Sequence, residues 1–192
     1  MNAERLIGVS RHALAGSAGA LDVIAEAWQA QALAQAIGGH LVLRGPRELR
    51  GEARQLVEAG GRGCAVSDPP ALGVGGIRAA RLAGVPDIGA ALAALGALLG
   101  EVGIALVAVA CGTDEEALYW QCMEAIDAAD ESNDRVGGML HRLATREQER
   151  ERERERDRER EWETGVGWEW ERSGGLPEGV RGLGGPADSP VV

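Results

Sequence analysis

The amino-acid sequence predicts an all-α fold: a four-helix-bundle-like core, a charged helical extension and a disordered C-terminal tail. Three observations carry the prediction. Ile88, Leu92, Leu95, Leu99, Val102, Leu106 and Val109 follow an unbroken heptad spacing, which is the seam of a helix packed on other helices. Tyr119, Met123, Ile126, Ala129, Asn133, Val136, Leu140 and Leu143 continue at steps of three and four. From Arg146 the pattern gives way to alternating Arg and Glu, then to Gly and Pro. The expected organisation is a bundle over residues 1–145, a Glu/Arg-rich helical extension over 146–163 and a tail over 164–192.

Residues 3–38 read as one long helix or two stacked ones, with Asn2 as cap. Ile7, Leu14, Leu21 and Trp28 recur every seven positions, Gly8, Gly16 and Gly19 weaken the stretch, and Gly38–Gly39 is expected to end it. A shorter helix is expected over 46–59, opening on Pro46 and closing on "GGRG". The following "GGRGCAVSDPPALGVGG" is a Gly/Pro-rich loop, with a short helical turn at Ile77–Leu82 after it.

The helix over 88–110 is apolar nearly all round, which predicts a place at the centre of the bundle. One residue beyond its heptad seam runs a second stripe: Gly89, Ala93, Gly96, Gly100, Gly103, Val107 and Ala110. An interior glycine costs about 1 kcal/mol relative to alanine. The expected compensation is close approach of a neighbouring backbone at Gly96, Gly100 and Gly103.

Thr113 followed by Glu116 has the form of a capping box, so the next helix should run over 113–145. At about 100° per residue, Glu116, Glu124, Asp127, Glu131 and Asp134 project away from its apolar stripe as a solvated face. Asp130 and Asn133 fall on or beside that stripe, and a lone Asn in such a seam commonly fixes register. The Arg/Glu alternation that follows sets opposite charges three apart and like charges four apart, so its helical support is mixed.

Composition excludes several functions. The chain has 192 residues, and all 20 of its basic residues are Arg, so Schiff-base, phosphate-loop and general-base lysines are absent. Abundant Ala, Gly and Arg without Lys or Phe is what GC-rich codons produce. The net charge is −10, and residues 1–145, 146–163 and 164–192 are each net acidic, which argues against nucleic-acid partners. Arg47, Arg50 and Arg54 can share a helical face, but Glu48 and Glu52 neutralise it. Cys64, Cys111 and Cys122 form no CxxC pair or zinc spacing, and the start "MNAERLIG" lacks a signal peptide's character. A reducing cytoplasm is the expected location.

No catalytic constellation and no cofactor site emerges. A carboxylate-bridged metal site in a bundle needs Glu-x-x-His pairs, and none occurs. The best substitute is Asp130, Asp134 and His141 on one helix edge, joined by Glu101 or Glu26 and by His12. "GVGGIR" at Gly73–Arg78 lacks both a preceding strand and GxGxxG spacing. Residues 88–111 are long enough to cross a membrane, and Gly96 and Gly100 resemble a membrane-dimer motif. Much of their apolar content is Ala and Gly, however, and Glu101 near the midpoint costs roughly 3 kcal/mol on insertion scales. Spanning is therefore the weaker reading. Trp162, Trp168 and Trp170 sit in an acidic, glycine-bearing tail, where they suit a partner-docking motif, although low-complexity drift accounts for them as well.

The segments "VSRHALA", "AEAWQAQALAQAIGGHL", "GEARQLVEAGGRGC" and "LYWQCMEAIDAADESNDRV" resemble a family of uncharacterised small helical proteins from GC-rich actinobacteria. The likeness covers about residues 3–145 and implies a cytoplasmic protein of unknown function, with no catalytic residue, cofactor or partner to transfer. The function expected from the residues is a non-enzymatic interaction or regulatory module that self-associates or binds a protein partner, with Gly96, Gly100, Gly103 and the Trp residues as its surfaces. A ligand- or metal-binding bundle is the first alternative, and a single-pass membrane protein the second.

Overall fold

A computed structural model describes residues 1–65 and 76–172, with side chains as far as Trp162. The first helical stretch divides in two: α1 spans Ala3–Ala15 and α2 spans Ala20–Arg44. The break falls at Gly16–Gly19, where the Gly16 N–H satisfies the carbonyls of His12 and Ala13. Asn2 caps α1 by accepting from Arg5 N–H at 3.2 Å.

Two expected stops are not stops. α2 runs through Gly38–Gly39, and after a 3₁₀ turn at Arg47–Leu49, helix α3 (Arg50–Ala65) runs through Gly60, Gly61 and Gly63. The reason is packing. A Cβ on Gly38 would stand 3.0 Å from the Ala53 carbonyl oxygen and 3.2 Å from Val57 N. One on Gly60 would stand 2.9 Å from both Gln31 O and Gln35 N. These glycines are the points where antiparallel α2 and α3 touch backbone to backbone, so close approach replaces the termination that sequence alone implies.

Beyond a 3₁₀ turn at Arg78–Arg81, which matches the short turn expected there, α4 spans Ile88–Gly112. Asp87 caps it by accepting from Ala90 N–H at 2.8 Å. Helix α5 begins at Glu116 rather than Thr113 and continues to Arg172. The Thr113 hydroxyl accepts from Glu115 N–H at 3.1 Å, so it closes a local turn instead of the expected capping box. Residues 66–75 of the loop and 173–192 of the expected tail lie outside the described residues. No strand occurs among those described; one isolated parallel bridge joins Asn2 to Gly84.

The chain divides into two compact units, Met1–Arg146 and Glu147–Val192. The first is the all-α bundle. Its heptad seam is buried as the spacing predicts: Leu92, Leu95, Leu99, Val102 and Leu106 are each at most 1% exposed. Burying one such side chain contributes about 1.5–3 kcal/mol. The centre, however, belongs to α2, where every residue from Ala27 to Ala34 is buried. α4 runs parallel to α1, with Ala3 N–H bonded to Gly84 O at one end and Arg11 paired with Glu101 further along. It presents only one side to the core. α5 packs antiparallel to α3 through Arg62–Glu131 and Glu52–Arg142. In the second unit, α5 over 147–162 is exposed at every position.

Candidate functional site

Two surfaces of the bundle stand out once its core is accounted for. The first is the outer side of α4. Ala90, Ala93, Ala97, Gly100, Ile104, Val107 and Cys111 are all exposed, and they too are spaced three and four apart. Ile104 is 74% exposed. The helix therefore carries two heptad seams, one spent on the core and one open. Gly100 and Gly103 have nothing within 4 Å of a notional Cβ, so the expected close backbone approach there is absent. Gly96 does meet a neighbour, with Asn133 Oδ1 at 3.2 Å and Val136 Cγ1 at 3.4 Å, but these are side chains of α5, not its backbone. Glu101, the one charge of α4, leaves the open seam uncharged because it turns to α1. Arg11 Nε lies 3.0 Å from each of its carboxylate oxygens. That hydrogen bonding holds the Glu101 carboxyl below the usual carboxylate range and raises the Arg11 guanidinium.

The second surface is a cavity of about 480 Å³ between the first turns of α2 and α5. Leu21, Ala117, Leu118 and Trp120 line it together with Glu115, Gln121 and Glu124. Leu21, which recurs at seven-residue spacing with buried Ile7, Leu14 and Trp28, is 77% exposed, and Trp120 is 58% exposed. The Trp120 ring meets Tyr119 edge-on, with centroids 5.4 Å apart. α3 has 16 residues against 25 in α2 and its C-terminal end lies at the level of Trp28, so α3 itself does not reach Leu21.

The candidate metal ligands do not converge. Asp130, Asp134 and His141 are exposed on α5, Glu101 is held by Arg11, and Glu26 pairs with Arg78, whose Nη2 lies 2.7 Å from Glu26 Oε1. Among the described residues, no group of three His, Cys, Asp or Glu could hold a metal ion. Asp130 and Asn133, expected at or beside the seam, are exposed because the buried stripe of α5 is rotated toward Cys122, Ala129, Ser132, Val136 and Met139. Ser132, not Asn133, is its buried polar member. Glu116, Glu124, Asp127 and Asp134 face solvent as expected, and Glu131 pairs with Arg62.

Cys64 and Cys122 lack the environment of nucleophiles. Burial pushes the Cys64 thiol up to about 11 and raises Cys122 as well. Cys64 and Trp28 are locked together instead, the Trp28 indole N–H donating to the Cys64 carbonyl at 3.0 Å. Trp162 is 71% exposed, while the side chains of Trp168 and Trp170 lie outside the described residues.

The chain belongs to a family of unknown function (DUF6099), whose model matches residues 1–142. No curated protein and no solved structure matches the chain. The family match spans the bundle and stops short of the Arg/Glu run.

Proposed function

We propose that this family member is a non-enzymatic helical interaction module that self-associates through the outer seam of α4. The observation that carries the reading is Ile104, 74% exposed beside exposed Val107 on a helix whose other side is fully committed to the core. An uncharged apolar stripe of this length is unusual on a solvated surface. Small residues at Ala93, Ala97 and Gly100 let a second helix come close, and the larger Ile104 and Val107 supply anchors. The stripe carries no charge, so a second copy can meet it there in spite of the net −10 of each chain. Three thiols free of disulfides suit the reducing cytoplasm expected for it. Sedimentation equilibrium of the full chain tests the reading: a dimer is expected, and a monomer at every concentration reached would refute it.

A membrane is the second reading, favoured by the mean hydropathy of 2.2 and the 25-residue length of α4. Spanning would require the inner seam to leave α1, α2 and α5, forfeiting the burial of Leu92, Leu95, Leu99 and Leu106. Recovery of the protein in detergent-free supernatant supports the module; recovery only in the membrane fraction supports spanning.

A further inference from the structure

α3 packs along α2 and α5 only part of the way. Its last anchors are Arg62, paired with Glu131, and Cys64, whose carbonyl accepts from Trp28. Among the described residues, the groove beyond that level is lined by Leu21, Leu118 and Trp120 together with Gln121 and the carboxylates of Glu115 and Glu124. We propose that this groove receives a basic amphipathic helix of another protein, seated on α2 and α5 where α3 no longer covers them.

Charge selects the occupant. Neither Glu115 nor Glu124 takes part in an ion pair among the described residues, whereas Glu131, two turns further along the same helix, is paired by α3. Two turns correspond to about 10.5 Å. A guest arginine at that distance beyond Arg62 would meet Glu124 as Arg62 meets Glu131. Leu21, Leu118 and Trp120, set among the polar Glu115, Gln121 and Glu124, call for apolar anchors at three- and four-residue spacing between polar ones, the pattern of helix-in-groove recognition. A second copy of this chain fits poorly, since it is acidic over residues 1–145, 146–163 and 164–192 alike. The site is separate from the open seam of α4, so the two surfaces stand or fall independently.

The test uses the full chain and a fluorescein-labelled helical probe with Leu at three- and four-residue spacing and Arg on both flanks. Fluorescence anisotropy should show saturable binding that weakens roughly tenfold or more for Trp120→Ala and for Glu124→Arg. Both side chains are exposed, so unchanged far-UV circular dichroism is expected and separates lost binding from lost folding. A probe with Glu in place of Arg should bind only the doubly reversed E115R/E124R protein. Ile104→Arg should leave probe binding unchanged. No saturable binding, equal binding of the Arg and Glu probes, or indifference to both single substitutions would overturn the proposal.

Discussion

Ser132 donates its hydroxyl hydrogen to Gln31 Oε1 at 2.8 Å, a buried bond that ties α5 to α2 across 101 positions of sequence. The two residues are 0% and 3% exposed. Gly63 of α3 completes the layer: a Cβ there would stand 2.7 Å from Gln31 Cγ. Three helices thus meet around one polar contact, whose Gln31 amide nitrogen has no further partner among the described residues.

Ser132→Ala removes the donor and leaves the buried Gln31 side chain wholly unpaired. A loss of about 1–3 kcal/mol is expected in urea unfolding. Adding Gln31→Leu should recover most of it, because an apolar side chain of similar length has nothing left to satisfy. Strictly additive single effects would show that the bond does not couple the helices.

Gly60 and Gly100 should respond to alanine with opposite signs. At Gly60 the new Cβ meets backbone atoms at 2.9 Å that cannot step aside, and overpacking of this kind costs about 1–3 kcal/mol. At Gly100 nothing in the same chain lies within 4 Å, so Gly100→Ala should stabilise the monomer by about 0.5–1 kcal/mol through reduced unfolded-state freedom. Thermal unfolding of the two variants side by side decides the matter.

Ile104→Arg places a charge in the middle of the open seam without touching the core. Dimer dissociation should rise roughly tenfold or more, equivalent to about 1.4 kcal/mol. Stability of the monomer should stay within about 0.5 kcal/mol, as is usual for surface substitutions. An unchanged sedimentation profile would place any self-association elsewhere.

The thiols predict an alkaline limit. The folded Cys64 thiol is raised to about 11 by burial, against about 8.5 in an unfolded chain. Its contribution is therefore fully present below the unfolded value and is lost as pH rises toward 11. Stability should decline across that window, and Cys64→Ala should flatten the decline. At neutral pH and at concentrations where the chain is monomeric, iodoacetamide should label exposed Cys111 well before Cys64 or Cys122, as read by mass spectrometry of the proteolytic peptides.

Periodicity made the helices legible, and chemistry hid some of their ends. The seam from Ile88 to Val109 could be read directly, since seven apolar residues at heptad spacing have one economical arrangement. Gly38 and Gly60 misled because a glycine reads alike whether it ends a helix or admits another backbone. The buried stripe of α5 runs through Cys122 and Ser132, whose small side chains give a weaker periodic signal than larger or more polar neighbours such as Tyr119 and Asn133. Of the surface residues, Gly100 belongs to a stripe legible in the sequence, whereas Leu21 lies 97 and 99 positions from Leu118 and Trp120, so their grouping is a property of the fold.

The sequence by itself determined that this chain is helical, that it is acidic throughout and that lysine chemistry is closed to it, because spacing and composition are local quantities. Tertiary structure alone decided which side of α4 is open, which acids are paired and where α3 stops covering its neighbours. Those are properties of pairs of helices. An amphipathic pattern shows that a face must be buried, but only the relative lengths and contacts of the helices determine which face has a partner.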